Sequence, residues 1–191
     1  SSFERSKGVS NFRWEKDTLL VSFFVEGRDK KATLSEMSSA FERDRAFIEE
    51  ATGISISIGL WGAKDPVPDI YVLIGTKTEL LERAKYLQLR FESPNFPSDM
   101  VNLAARGQPI CYTSVKTTKN GEIKRAVIIV DKGHSPGYCL RRELIGAFGL
   151  FGEVPESIPS ILARDQEYEF FQRFDGYLLS NLYRYKSEWQ D

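Results

Sequence analysis

The strongest constraint on the fold is a pair of β-rich segments separated by an Asn-Gly dipeptide. Residues 111 to 117 and 123 to 130 are rich in Val, Ile and Thr, and Lys119-Asn120-Gly121 lies between them. Asn-Gly favours the tight turns that join antiparallel strands, because both residues tolerate positive φ angles. The pattern therefore predicts a β-hairpin, which places the two segments side by side in one sheet.

Alternating polar and apolar residues predict further strands before the hairpin. The alternating segments are 14 to 25 and 54 to 60, and the short apolar run from 70 to 74 predicts another strand. Between the first two, Thr33-Leu34-Ser35-Glu36 has the spacing of a capping box and predicts the start of a helix. Gly53 is a typical C-terminal stop for that helix.

Helical spacing of apolar residues recurs in three later segments, at 78 to 90, at 139 to 148 and from Asp165 onwards. Pro94, Pro97 and Gly107 predict a loop-rich passage after the first of them. Asp175-Gly176 is expected to divide the terminal helix. Helical spacing also predicts that the aromatic residues of this terminal segment pack in the core: Phe170, Phe171, Phe174 and Tyr177.

The order of these elements predicts an α+β fold in which helices pack on a mixed sheet. The length of 191 residues suits a single domain, and no internal linker is visible. We expect residues 1–13 to be an N-terminal extension and 14–191 to form the domain. Because the sequence begins at Ser1 without a Met, we expect that a preceding segment, such as an export signal, has been removed.

Composition excludes several classes of function. Lys and Arg number 26 against 27 Asp and Glu, which leaves no broad basic surface and predicts no nucleic-acid partner. The longest aliphatic run, from Ala126 to Val130, is far shorter than the roughly 20 residues that cross a bilayer, so no transmembrane segment is predicted. One His and two Cys exclude a zinc site of three His or of four His and Cys ligands.

The segment 139 to 152 resembles the active-site helix of the zincin metallopeptidases, metzincin branch. The pattern of that family is HExxHxxGxxH, in which His residues hold zinc and Glu is the general base. Here Glu143 stands at the Glu position and Gly149 at the turning Gly. The positions of the three zinc ligands are taken by residues that cannot bind zinc: Arg142, Gly146 and Gly152. The resemblance therefore implies a zincin-like scaffold with no metal and no cofactor.

Other segments extend this resemblance over about residues 14 to 186. Asp69 to Val72 resembles the edge strand of the zincins, Pro155 to Ile158 resembles the Met-turn segment without its Met, and Asp175 to Tyr183 fits D-x-x-x-L-x-x-LY. The chain is similar to an uncharacterised family of bacterial envelope proteins with a metzincin-like domain. The matching residues are Cys111, Cys139, Glu143, Leu144, Ala147, Gly149, Leu150 and Tyr183.

The two Cys residues are either free core thiols or a disulfide, since the hairpin brings Cys111 within reach of Cys139. The family resemblance implies the disulfide. It also implies an oxidising compartment, and hence an exported bacterial protein that is periplasmic, at the cell surface or secreted.

Glu143 has two interpretations, a retained general base or a partner of Arg141, Arg142 or another cation. Without a metal to activate water, the proton transfer to a carboxylate is unfavourable, which supports the second interpretation. Arg142 is expected to take the place of the missing metal ion as a cation. His134, in a Gly- and Pro-rich loop, either reaches the mouth of the cleft or is a solvated surface residue.

The resemblance thus implies a catalytically inactive, metallopeptidase-like domain that binds a polypeptide or an envelope component. Its expected docking edge is the strand with Ile70, Tyr71 and Val72, because an extended peptide can add a strand to such an edge. The expected binding residues beside it are Arg142, Glu143 and His134. The alternative function is that of a hydrolase with a non-standard site centred on Glu143.

Overall fold

A computed structural model describes residues 12–59, 67–91, 96–107, 109–163 and 166–184. Its strands are β1 (Thr18–Val25), β2 (Ser55–Gly59), β3 (Ile70–Gly75), β4 (Cys111–Thr117) and β5 (Ile123–Asp131). Its helices are α1 (Lys30–Thr52), α2 (Lys77–Phe91), α3 (Phe96–Ala105), α4 (Pro136–Ala147) and α5 (Arg173–Arg184). The α+β class and the β4–β5 hairpin are therefore confirmed.

The five strands form one mixed sheet in the order β2-β1-β3-β5-β4. The strands β2, β1, β3 and β5 are parallel to one another, whereas β4 is antiparallel to β5. The edge position expected for residues 70 to 74 is wrong, because β3 lies between β1 and β5. All six of its residues are buried, as is typical of a continuous apolar strand covered on both faces. Ile70, Tyr71 and Val72 thus cannot form a docking edge.

Helices cover both faces of the sheet. On one face α1, α4 and α5 enclose the larger core cluster, whose fully buried members include Trp14, Phe41 and Phe148. On the other face α2 and α3 cover a smaller cluster around Leu73, Leu80 and their neighbours. The candidate functional site lies on the first face, beside β4, which is an edge strand of the sheet.

Helix α1 and the passage after α2 differ from the sequence prediction. Helix α1 begins at Lys30, with the Thr33 N–H donating to the Asp29 carbonyl at 3.1 Å, so Thr33 lies in the first turn and does not cap the helix. Helix α3 occupies most of the passage predicted as a loop. Pro97 is compatible with it because the first turn of a helix does not need the N–H that Pro lacks.

The terminal helix begins at Arg173 and continues through Asp175-Gly176, so the predicted division there is wrong. Asp175 instead belongs to the first turn, where its carboxylate accepts the Gln172 N–H at 2.7 Å. The absence of a side chain at Gly176 allows Phe47 of α1 to approach closely, since a Cβ there would lie 3.0 Å from the ring. Both residues that suggested a break therefore have a packing role.

The aromatic residues before and within α5 are only partly in the core. Phe171 stacks on Phe47 with ring centroids 4.9 Å apart. By contrast, Phe170 is 50% exposed and Tyr177 is 63% exposed, so core packing was a wrong prediction for these two. Trp61 lies outside the described residues.

The chain before β1 is attached to the hairpin. The Arg13 N–H donates to the Gly121 carbonyl at 3.2 Å, and the Ile123 N–H donates to the Arg13 carbonyl at 2.7 Å. Most of the expected N-terminal extension, residues 1 to 11, lies outside the described residues. Within the described ranges, no helix combines the length and apolar content that a bilayer crossing requires.

Candidate functional site

Helix α4 follows strand β5 and lies against both strands of the hairpin. Pro136 is in its first turn, and the preceding residue, Ser135, has a positive φ of 36°. A disulfide joins Cys111 of β4 to Cys139 of α4, with the two Cα atoms 5.5 Å apart. The covalent link that the resemblance implied is therefore present, and it fastens the edge strand to the helix.

A second contact between β4 and α4 is made by Thr113. Its Oγ1 donates to the backbone carbonyl of Glu143 at 2.8 Å. Close by, a Cβ at Gly146 would lie 3.4 Å from the Phe151 ring and 3.5 Å from Thr113. We call the strip formed by Thr113, Arg142, Glu143 and Phe151, all half-buried, the α4–β4 surface.

Arg142 is held on this surface by neighbouring polar groups. Its Nη1 donates to the Tyr138 hydroxyl at 3.1 Å, and its Nη2 lies 3.5 Å from Glu153 Oε1. Burial lowers the pKa of Arg142, but Tyr138, Glu143 and Glu153 outweigh it, so the pKa is raised. The guanidinium therefore stays charged and interacts electrostatically with Glu143.

The carboxylate of Glu143 lies within electrostatic range of Arg142 and of Tyr112. Burial, a hydrogen bond to Asp99 at 2.7 Å and the charge of Glu143 all raise the pKa of Tyr112. This hydroxyl therefore stays protonated and donates to Asp99. Glu143 thus lies in the electrostatic field of a permanent cation.

The residues at the positions that the resemblance assigns to zinc ligands do not fit a zinc ion. The Arg142 guanidinium has donors only and repels a dication. Gly146 has no side chain, and Thr113 and Phe151 fill the space beside it. Gly152 has a φ of 118°, which strains any other residue. Across the described ranges, no group of three or more His, Cys, Asp or Glu could hold a metal.

The remaining residues predicted for the site lie elsewhere. His134 is near the beginning of α4, where its Nε2 is 3.9 Å from Glu167 Oε1, and its side chain is 58% exposed. This position corresponds to the solvated alternative, about two helical turns before Glu143. Ile70, Tyr71 and Val72 are buried in the central strand. The structure thus brings together only Arg142 and Glu143 among the predicted binding residues.

A buried ion pair on another side of α4 was not predicted. Arg141 is 3% exposed, and its Nε lies 3.0 and 3.1 Å from the two carboxylate oxygens of Asp44. Its Nη1 donates to the Tyr168 carbonyl at 3.2 Å. A sequence signal did exist, because Asp44 falls on the apolar stripe of α1 with Phe41 and Ile48.

A second buried polar group explains part of the D-x-x-x-L-x-x-LY pattern near the end of the chain, called the closing pattern below. The Asp175 carboxylate is fully buried and accepts hydrogen bonds from the Ser160 hydroxyl and from the N–H groups of Ile161 and Gln172. Burial raises the pKa of Asp175, whereas these hydrogen bonds oppose the shift. The carboxylate fixes the loop that follows α4 to the start of α5.

Tyr183, the last residue of the closing pattern, also has a structural role. Its hydroxyl donates to the Phe148 carbonyl at 3.0 Å and accepts the Trp14 N–H at 3.2 Å. Gly149, next to Phe148, has a φ of 96°, and a Cβ there would overlap the carbonyl oxygen of Phe12 at 1.8 Å. The residues of the pattern thus hold the end of α4 against the N-terminal segment.

Comparison with known proteins identifies a family. A search of curated proteins gave no match. The model of one family, described as "Protein of unknown function (DUF2927)", matches residues 6–186. This match extends over nearly the whole chain and includes β4, α4, both Cys residues and the closing pattern. The chain therefore belongs to the DUF2927 family, an uncharacterised family of proteins.

Proposed function

We propose that this chain is a metallopeptidase-like domain without catalytic activity that binds an extended polypeptide at the α4–β4 surface. The observation that carries the proposal is the position of β4, which is an edge strand fastened alongside the helix that bears Arg142 and Glu143. The docking edge expected at β3 is thereby replaced by β4.

The chemistry of the surface supports binding over catalysis. The Glu143 carboxylate interacts with the guanidinium of Arg142, which is itself bonded to Tyr138 and close to Glu153. A guanidinium cannot lower the pKa of a bound water as a metal ion does. It donates well to carbonyl and carboxylate groups, which are the acceptors that a polypeptide offers.

The geometry of β4 supports strand addition. Asp131 N–H donates to the Ile110 carbonyl at 2.9 Å, so the backbone groups of alternate residues from Ile110 onwards point toward β5. Those of Thr113 and Val115 then point toward the outer edge. A peptide can pair with these groups while its side chains contact the α4–β4 surface.

We further propose that the protein is exported to an oxidising compartment in a bacterium, either the periplasm, the cell surface or the medium. The Cys111–Cys139 disulfide supports this location, because disulfides persist mainly outside the reducing cytosol. Its partner would then be an exported polypeptide or another envelope component.

The test is a screen of capped peptides for binding, followed by backbone N-methylation of the best peptide. Strand addition predicts that N-methylation at one set of alternate residues abolishes binding, whereas methylation at the other set has little effect. The matched protein variants are Arg142→Gln, on the surface, and Arg173→Gln, an exposed residue of α5. We expect only the first to lower the affinity.

Two outcomes would contradict the proposal. Equal tolerance of N-methylation at all positions would exclude strand addition. Cleavage of the bound peptide by wild type and not by Glu143→Gln would instead support the alternative, a hydrolase centred on Glu143.

A further inference from the structure

A cavity with a volume of about 480 Å³ lies near the beginning of α4, on the side of α4 that carries the Arg141–Asp44 pair. Helix α1, the first turn of α4 and residues 167 to 169 form its walls. Met37, Ala40 and Arg141 are buried at its floor, and Tyr138 and Tyr168 are half-buried in its walls. The volume is within the range of small-molecule sites, about 300 to 1,000 Å³.

The walls of this cavity are held in place by buried polar contacts. Arg141 joins all three elements, since it pairs with Asp44 of α1 and donates to the Tyr168 carbonyl. At the rim, the Ser135 hydroxyl donates to Glu167 Oε2 at 2.9 Å. The cavity is therefore part of the folded framework, formed before any ligand arrives.

The charge of the cavity favours a cation. Its exposed rim carries three carboxylates, those of Glu36, Glu167 and Glu169, against the single guanidinium of Arg43. The floor guanidinium, Arg141, is neutralised by Asp44 at 3.0 Å. Neither Glu36 nor Glu169 has a partner among the ion pairs of the described residues. A cation entering the cavity would thus meet unneutralised negative charge.

Aromatic rings reinforce this preference. Beside the cavity the Arg43 guanidinium lies 5.8 Å from the centre of the half-exposed Phe170 ring, a cation–π contact within the protein itself. The walls provide two further rings, those of Tyr138 and Tyr168. Carboxylates at a rim and aromatic rings in the walls are the groups that bind ammonium and guanidinium ions.

We propose that this cavity is a second binding site, which takes a primary ammonium or guanidinium group on a flexible aliphatic stem. A Lys or Arg side chain of a polypeptide and a free alkylamine share this chemistry. The apolar floor of Met37 and Ala40 contacts the stem, and the carboxylates of Glu36 and Glu169 accept hydrogen bonds from the cationic head. The site does not depend on strand addition at β4, and its test does not involve that edge.

The test is an NMR titration of the whole chain with the capped peptide acetyl-Gly-Lys-Gly-amide and its norleucine counterpart, which lacks only the ammonium. Pentylamine is the third probe. We expect the Lys peptide to bind with a Kd on the order of 1 to 10 mM and the norleucine peptide at least about tenfold more weakly. The amide signals that shift should be those of cavity residues, among them Ser39, Gly137 and Tyr168.

The variant is the double substitution Glu36→Gln and Glu169→Gln, whose control is Glu50→Gln and Glu156→Gln, two exposed residues away from the cavity. We expect the first to raise the Kd about fivefold and the control to change it less than about twofold. Equal affinity for the Lys and norleucine peptides, or shifts remote from the cavity, would overturn the proposal. If pentylamine binds as tightly as the Lys peptide, the cationic head on its aliphatic stem is sufficient for binding. If pentylamine binds much more weakly, the site is assigned to polypeptides.

Discussion

Two consecutive arginines of helix α4 lie in opposite environments. Arg141 is almost fully buried and paired with Asp44, whereas Arg142 retains a side-chain exposure of 27% and contacts a hydroxyl and an exposed carboxylate. The first side of the helix carries a framework of buried polar contacts and, near the beginning of the helix, the cavity. The second is the α4–β4 surface, where charged groups remain accessible to a partner.

This difference separates structural residues from candidate binding residues. Asp175, Tyr183 and Gly149, which belong to the residues that suggested a family, all stabilise the framework. Arg142 instead contacts Tyr138 and Glu153 on the α4–β4 surface. Much of a recognisable sequence pattern therefore reports on the fold, whereas Glu143, which also belongs to the pattern, lies on the α4–β4 surface.

The largest effect is expected from breaking the buried pair. Asp44→Ala leaves Arg141 buried without its partner, and we expect the free energy of unfolding to fall by about 3 to 5 kcal/mol. Urea denaturation measures this change. The control Glu50→Ala, an exposed position on the same helix, should change stability by less than about 0.5 kcal/mol. Similar values for the two variants would show that the framework side of α4 is not as described.

Removing the disulfide should have the next largest effect. The Cys111→Ala and Cys139→Ala double variant opens a loop with a sequence separation of 28, and loop-closure entropy predicts a loss of about 3 to 4 kcal/mol. Hydrogen exchange should accelerate first in β4, because that strand loses its covalent attachment to α4. Uniform acceleration over the whole sheet would instead indicate that the disulfide does not act locally.

The buried carboxyl of Asp175 gives a prediction about pH. Burial raises its pKa above the ordinary value of 3.8, so the folded state holds the proton more firmly than the unfolded chain does. The resulting stabilisation is complete below about pH 3.8 and is lost as the pH rises through the folded-state pKa. We expect the stability advantage of wild type over Asp175→Asn to shrink with rising pH. The Asp44 carboxyl is present in both proteins, so its titration cancels in the difference between their free energies of unfolding.

Denaturation of both proteins at a series of pH values provides the measurement. An advantage of wild type that increases with pH would mean that the hydrogen bonds to Asp175 lower its pKa more than burial raises it.

Arg142→Gln should have the smallest effect on stability, below about 1 kcal/mol, because half-exposed ion pairs contribute little. The matched variant is Arg141→Gln, which removes a buried cation and leaves Asp44 unpaired, and its cost should be about 3 kcal/mol or more. Thermal and urea unfolding of the two variants compare the two sides of the helix directly. Equal costs would contradict the distinction between them.

Much of the fold could be predicted because its elements are coded locally. The Asn120-Gly121 turn and the apolar spacing of residues 139 to 148 give the hairpin and helix α4 without knowledge of the rest of the chain. The order of the strands in the sheet is not coded locally, because it depends on which faces of each strand are covered by other elements. The continuous apolar run of β3 was the available signal for a central strand.

The site was less predictable, because its geometry depends on contacts between residues distant in sequence. The partnership of Asp44 with Arg141 spans 97 residues, and only the position of Asp44 on an apolar stripe hints at it. The residues that line the cavity beside Arg141 come from three separate segments, none of which has a recognisable motif. By contrast, Arg142 and Glu143 were identified because they fall at adjacent positions of one short sequence pattern within a single helix.

The most direct test of the central claim follows the fate of a bound peptide. The peptide selected by screening is incubated with wild type and with Glu143→Gln, with zinc added in a parallel sample, and is then analysed by mass spectrometry. The proposed binding function predicts that both proteins bind the peptide and that it remains intact in every sample. Cleavage by wild type that is absent with Glu143→Gln would contradict it and would establish a hydrolase.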